Sequence, residues 1–210
     1  MKSKKAMVLS VVFCLLPTLA GILLWDALPA RIATHFDING VADGWSNKGY
    51  AVFFLPAMMA ALDALCLWGM GRDKSAHRQS KELQKFFLFF IPALSSYVMA
   101  LVYLKALGKE VRMDFWLSFL MGLVFLIVGN YLPKCRRNRT MGIRVKWTLQ
   151  SEENWNYTHR IGGFCWVLCG IATLAGGIAG RAWLLFPCIM AAAFVPILVS
   201  YGYYRKNEKE

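Results

Sequence analysis

Six apolar stretches, each close to the length of a bilayer-spanning helix, constrain this chain more than any other feature. They occupy residues 6–28, 50–70, 86–107, 115–132, 161–180 and 182–204. About 20 apolar residues are needed to cross a bilayer as a helix, and a helix pairs all of its own backbone polar groups there. The sequence therefore predicts an all-α integral membrane protein with six transmembrane helices. The first stretch is longer than the roughly 7 to 15 residue core of a signal peptide, so we expect it to be retained.

The distribution of Lys and Arg predicts the orientation of these helices. With the N and C termini both cytoplasmic, 18 of the 24 basic residues lie on the inner side and six on the outer side. Such an excess marks cytoplasmic segments. The net charge of +12 is therefore explained by topology. Its physical consequence is attraction to anionic membrane lipids of the inner leaflet, and we expect no direct nucleic acid binding because no soluble basic module is present.

The longest polar connection is the basic cytoplasmic loop 133–160, which joins the fourth and fifth spans. Its basic residues are Lys134, Arg136, Arg137, Arg139, Arg144, Lys146 and Arg160, against the acids Glu152 and Glu153. We expect this loop to be an ordered platform on the inner membrane surface, anchored there by Trp147 and Trp155. Ser151 followed by two acids predicts the start of the fifth helix. Further along, the small residues at 176–180 predict a close approach by another helix.

The connection between the first two spans predicts a small hairpin cap on the outer face. Alternating residues from Ile32 to Ile38 lead into Asn39-Gly40, a dipeptide that tolerates positive φ and favours a tight hairpin. The alternative is a plain connecting loop.

Two sets of residues resemble the motifs of a known family. The inner set resembles the signature of the SdpI family of bacterial membrane immunity proteins: Gly129-Asn130, Asn138, Gly142-Ile143-Arg144, Trp147-Thr148-Leu149, Glu153 and Trp155. The outer set resembles the short motif of an uncharacterised domain often found N-terminal in that family: Leu28-Pro29, His35-Phe36, Asn39-Gly40, Asp43-Gly44-Trp45 and Lys48. Lys146 departs from the family, which usually has Pro there.

This resemblance implies an organisation and a function. Residues 1–84 would form an N-terminal two-helix unit with the outer cap, and residues 85–210 an SdpI-like four-helix unit. The protein would be a multi-pass immunity protein of the bacterial cell membrane that resists an antimicrobial peptide toxin, and it would also signal by sequestering a cytoplasmic transcriptional repressor. The partner- or peptide-binding positions that it implies are His35, Asn39, Gly40, Asp43, Gly44, Lys48, Asn130, Asn138, Gly142, Arg144, Trp147, Thr148 and Trp155.

Asp63 supports a different reading, because it lies inside the second apolar stretch. A carboxylate there costs a few kcal/mol, so it should face the bundle, either paired or protonated. The alternative function is a small transporter or lipid-handling protein that uses Asp63. A third candidate is a membrane sensor without an immunity role.

The chain lacks the patterns of a membrane enzyme or metal site. No His-Glu-x-x-His, Gly-x-Ser-x-Gly or paired-Cys motif occurs. The Glu-Glu-x-x-x-Arg motif of an intramembrane protease class fails here, because Tyr157 stands where Arg is required. His35 and His159 have no partner at metal-binding spacing. We therefore predict no enzymatic activity, no metal and no cofactor.

Overall fold

The computed structural model describes residues 4–72 and 81–207. Six helical segments in it are long and apolar enough to cross a membrane: Lys4–Leu23, Tyr50–Arg72, Gln84–Ala106, Met113–Lys134, Glu152–Ile178 and Ala182–Asn207. The prediction of an all-α membrane protein with six spans is confirmed. The side on which the termini and the hairpin lie stays a prediction.

The first compact unit comprises the described residues up to Met113. It contains α1 (Lys4–Phe13), α2 (Leu16–Leu23), a π-helical turn (Tyr50–Phe54), α3 (Leu55–Arg72) and α4 (Lys81–Ala106). The first span is broken after Phe13, because the ring of Pro17 would clash with the carbonyl group four residues earlier. Residues of α4 and of the segments around it form the core: Leu28, Ile32, Ala51, Val52, Met99, Val102 and Tyr103.

A β-hairpin lies between the first two spans. Strands β1 (Arg31–Phe36) and β2 (Ala42–Asn47) pair antiparallel, and Gly40 in the connecting turn has a φ of 78°. The turn is therefore at the predicted dipeptide. Ile32 in β1 is 1% exposed and joins the core of this unit, which fixes one face of the hairpin.

The second compact unit comprises the described residues from Asp114 onward. It contains α5 (Met113–Tyr131), α6 (Lys146–Gln150), α7 (Glu152–Ile178) and α8 (Leu185–Asn207), with single 3-10 turns at Leu132–Lys134 and Ala182–Leu184. Helix α7 begins as predicted, because the Ser151 hydroxyl accepts the N–H of Asn154 at 3.2 Å.

Glycines let the backbones of α5 and α7 come into van der Waals contact. A Cβ atom added to Gly163 would lie 2.7 Å from the carbonyl oxygen of Gly129, and one added to Gly170 would lie 2.9 Å from that of Gly122. Gly177 continues this row, with a hypothetical Cβ 2.8 Å from that of Ser118. The close approach predicted at residues 176–180 is therefore present at Gly177, and it extends back to Gly163, about four helical turns along α7.

The third span packs with the first unit. The Tyr103 hydroxyl of α4 donates to the carbonyl oxygen of Pro17 at 3.0 Å, and Met99 and Val102 lie in the same core. The sequence instead predicts a domain boundary at 84/85, which places the third span in the SdpI-like four-helix unit. That boundary stays a prediction, and it differs from the packing of this span.

Candidate functional site

Asn138 holds the first part of the basic loop in a tight turn. Its Oδ1 accepts the N–H groups of Thr140 at 2.8 Å and Met141 at 2.6 Å, while its Nδ2 donates to the carbonyl oxygen of Arg136 at 2.8 Å. The side chain is buried. A buried amide with its oxygen and nitrogen both bonded to nearby backbone orders this segment.

Gly142 then brings the chain against His159. Its φ is 97°, and a Cβ added there would contact Nε2 of His159. The N–H of Ile143 donates to that nitrogen at 3.0 Å, and Nδ1 of His159 lies 2.8 Å from the carbonyl oxygen of Trp155. Since Nε2 accepts, the ring proton is on Nδ1 and the imidazole is neutral. His159 is thus a buried structural residue that fixes the loop.

Trp155 is 0% exposed, so the expectation that it anchors the loop at the membrane interface is wrong. Its Nε1 donates to the carbonyl oxygen of Cys135 at 2.7 Å, and its ring stacks on His159 with centroids 4.0 Å apart. The indole has a protein acceptor and protein contacts on its face, so it ties the loop to α7 instead of meeting lipid.

Thr148 bonds to the backbone that leads into the short helix α6. Its hydroxyl accepts the N–H of Val145 at 3.0 Å and donates to the carbonyl oxygen of Ile143 at 2.9 Å. Lys146 is the first residue of α6. Pro is common at that position because its fixed φ suits a helix start and its missing N–H is not needed. With Lys146 in place of the usual Pro, α6 still begins at this residue.

A buried polar network joins α6, α7 and α8. Nε1 of Trp147 donates to Oγ of Ser200 at 2.8 Å, and that hydroxyl donates to Oδ1 of Asn154 at 2.7 Å. Thr158 donates to the same oxygen at 3.0 Å. Sequence reasoning missed Asn154, Thr158 and Ser200, although the i, i+4 spacing of the first two beside Trp155 was an available signal.

Two arginines brace the loop backbone. Nη1 of Arg144 donates to the carbonyl oxygen of Arg139 at 2.6 Å. Nη1 of Arg137 donates to the carbonyl oxygens of Leu149 at 3.3 Å and Gln150 at 3.1 Å, at the end of α6. Asn130 does not join this group, since it is exposed and its Oδ1 lies 3.5 Å from Nζ of Lys134.

Asp37, which lies between the motif residues Phe36 and Asn39, holds the hairpin turn. Oδ1 of Asp37 accepts the N–H groups of Asn39 at 3.0 Å and Val41 at 2.7 Å, across Gly40. This is the local turn geometry that Asp favours. Asn39 itself is exposed at the tip.

His35, Asp43 and Gly44 meet across the two strands. Nδ1 of His35 lies 2.5 Å from Oδ1 of Asp43, and both side chains are largely exposed. Exposed pairs of this kind contribute little to stability. A Cβ on Gly44 would lie 2.8 Å from that of His35, so only glycine leaves room for the histidine there.

Lys48 fastens the base of the hairpin. Its Nζ donates to the carbonyl oxygens of Trp25 at 2.8 Å and Leu28 at 3.2 Å, and it lies 4.6 Å from the centroid of the Trp25 ring. These carbonyls follow the first span. Lys48 is therefore the outer-motif residue that links the hairpin to the segment directly after the first span.

Asp63 is buried and faces α1, as expected of an intramembrane carboxylate. The Ser10 hydroxyl lies 2.7 Å from its Oδ2 and 2.6 Å from the carbonyl oxygen of Leu88. One hydroxyl proton serves one of these acceptors at a time. Among residues 4–72 and 81–207, Oδ1 of Asp63 has no hydrogen-bond partner.

The same described residues contain no group of three His, Cys, Asp or Glu side chains that could hold a metal ion. In the basic loop, burial raises the pKa of the Cys135 thiol to about 11. That thiol is therefore protonated at neutral pH, and a protonated thiol is a poor nucleophile and ligand.

Comparisons with known proteins match both parts of the chain. Residues 134–200 match the SdpI/YfhL protein family, and residues 12–60 match a domain of unknown function, DUF1648. The immunity protein SdpI of Bacillus subtilis (strain 168) is 26% identical, over 96% of this chain and 97% of its own length. No solved structure matches the chain significantly. Together with the six spans, these similarities identify a multi-pass bacterial membrane protein.

Proposed function

We propose that the chain protects a bacterial cell against an antimicrobial peptide toxin, because residues 134–200 match the SdpI/YfhL family and the chain is similar to an immunity protein over 96% of its length. The end-to-end similarity is the observation that carries the proposal.

In this proposal the hairpin tip meets the toxin. Ile38, Val41 and Trp45 are large apolar side chains that are each about half exposed or more. Asp37 holds the turn, the motif residue Gly44 leaves room for His35 on the facing strand, and the motif residue Lys48 holds the base of the hairpin. A small, fixed apolar tip on the outer face suits a membrane-active peptide, whose own apolar side chains are its means of entering the bilayer.

The basic loop serves an inner partner in the same proposal. Its backbone is ordered by buried side chains of α7, while its arginines remain at the surface. An ordered basic surface suits a repressor with an acidic patch, because charge complementarity steers association. Anionic lipids are the other partner that we propose for this loop.

The test is survival of a peptide-sensitive strain that expresses the chain, measured against a panel of membrane-active peptides. Expression should raise the inhibitory concentration of at least one peptide. Exchanging Ile38 and Val41 together for Ser should remove most of the protection at unchanged membrane abundance. The matched control is Ser substitution of Lys109, which is also exposed and in a connecting segment. Absence of protection against every peptide would contradict the proposal.

Asp63 favours the second candidate, a transporter or lipid-handling protein. If the Asp63 carboxyl group were protonated, it could donate a hydrogen bond to the Ser10 hydroxyl while that hydroxyl donates to the carbonyl oxygen of Leu88. Both short contacts would then be hydrogen bonds, so this arrangement suits a carboxyl group that binds a proton. Asp63→Asn keeps the shape and can still donate a hydrogen bond. Unchanged abundance with complete loss of protection, or of proton-coupled flux in proteoliposomes, would indicate that the ionisable group is required. Retained function would assign Asp63 a structural role.

A further inference from the structure

A cleft of about 820 Å³ lies between the turn at Asn138 and the junction of α6 with α7. We call it the arginine cleft. It is lined by Arg136, Arg137, Asn138, Arg139, Leu149, Gln150 and Glu152. None of the three arginines that line it belongs to the motif set, whereas Asn138 and Arg144, which order its backbone, do.

The charge of the cleft favours an anion. Three guanidinium groups line it against the single carboxylate of Glu152. A guanidinium presents two parallel N–H donors that match the oxygens of a phosphate group, and such charge-assisted bonds are stronger than neutral ones.

The walls of the cleft are ordered before any ligand arrives. Asn138 pins the turn that carries Arg136 and Arg139, and Arg144 holds the carbonyl oxygen of Arg139. Arg137 bridges the cleft wall to the end of α6. A site whose backbone is fixed in advance loses less conformational entropy on binding.

The cleft lies where two spans end. Arg136 follows the span Met113–Lys134 by two residues, and Glu152 is the first residue of the span Glu152–Ile178. The ends of spanning helices meet the headgroup layer of a bilayer. The phosphate of a lipid is therefore the anion nearest to this cleft.

We infer that the arginine cleft binds the phosphate of an anionic phospholipid headgroup, which replaces diffuse attraction to the leaflet by a defined site. This binding is independent of any toxin. The experiment below contains no peptide, so its failure would leave the proposed immunity function untouched, and the survival assay tests that function separately.

The experiment titrates the full chain in detergent with dioctanoyl phosphatidylglycerol by calorimetry. Dioctanoyl phosphatidylcholine, with the same chains and a zwitterionic headgroup, is the matched ligand control. We expect saturable binding of phosphatidylglycerol that weakens at high salt and at least tenfold weaker binding of phosphatidylcholine. Arg136→Gln with Arg139→Gln should lower the phosphatidylglycerol affinity roughly tenfold or more.

The control variant is Arg205→Gln with Lys206→Gln, which removes the same charge from the last turn of α8. It should keep the affinity within about threefold. Equal losses in the two double variants would overturn the inference, because binding would then follow net charge alone. If the cleft variant does not fold, the single variants Arg136→Gln and Arg139→Gln replace it, and each should weaken binding several-fold.

Two further ligands distinguish the source of the anion. Inorganic phosphate binding as tightly as phosphatidylglycerol would overturn the lipid assignment in favour of a soluble phosphate compound. A poly-glutamate peptide displacing the lipid at micromolar concentration would overturn it in favour of an acidic protein partner. Weak binding by both ligands supports the lipid.

Discussion

His159 determines the course of the basic loop because both of its ring nitrogens are used. One accepts from the backbone of Ile143, and the other bonds to the carbonyl oxygen of Trp155. A proton on Nε2 would remove the acceptor that the loop depends on. At the scale of single residues, the role of His159 is therefore structural. The arginine side chains of the loop lie at its surface.

Gly142→Ala should destabilise the protein more than Gly180→Ala. Both glycines have positive φ, which costs another residue about 1 to 2 kcal/mol. Only at Gly142 does the new Cβ also meet His159, since the space around Gly180 is open. Thermal unfolding in detergent measures the difference, and we expect Gly142→Ala to lower the midpoint by several degrees more. Equal effects would mean that the loop moves aside freely.

Cys135 should resist thiol reagents in the folded protein. Burial raises the pKa of its thiol from near 9 to about 11, so at neutral pH the thiolate fraction falls roughly a hundredfold. In a variant that keeps Cys135 alone, maleimide labelling at pH 7.5 should be at least that much slower than after denaturation, and it should accelerate as the pH rises above 9. Rapid labelling of the folded protein would contradict the burial of this residue.

At the scale of elements, the row of glycines decides how α5 and α7 pack. Apolar attraction between helices is weak in lipid, so close van der Waals contact supplies much of the association. The three contacts, at Gly163, Gly170 and Gly177, recur every seven residues along α7. This spacing keeps one narrow stripe facing α5.

Gly163→Ala should therefore lower stability, at a cost of about 1 to 3 kcal/mol from overpacking. Its Cβ would lie 2.7 Å from the Gly129 carbonyl oxygen, which belongs to rigid backbone. Gly202→Ala in α8 is the matched control, because nothing lies within 4 Å and alanine favours helix. Unfolding midpoints of both variants in the same detergent provide the measurement. If Gly163→Ala left the unfolding midpoint unchanged, the backbones of the two helices would not be in contact at this position.

At the scale of the whole molecule, the asymmetry of basic residues predicts orientation. In a background without native cysteines, Val41→Cys and Lys109→Cys should react with an impermeant maleimide in intact cells. Arg139→Cys should react only after the membrane is permeabilised. These sites are exposed, so a lack of labelling reports sidedness instead of burial. Labelling of Arg139→Cys in intact cells would invert the topology.

For the inner site, the sequence predicts which positions matter but not what each side chain does. The motif predicted that Asn138, Gly142, Thr148 and Trp155 matter, but their roles depend on partners far along the chain. The preference of tryptophan for interfaces predicts that Trp155 lies at the membrane surface, but its side chain is buried. The acceptor that buries it, the carbonyl group of Cys135, lies 20 residues away, and no local pattern predicts that contact.

The sequence by itself determined the six spans, the start of α7 at Ser151 and the turn at Gly40, because each depends on hydrophobicity or backbone preference over a few neighbouring residues. Tertiary structure alone decided that the third span packs with the first unit, that Ser200 joins Asn154 and that three arginines line one cleft. These outcomes depend on which faces of distant helices meet. In a chain whose spans are apolar on every side, periodicity does not reveal those faces.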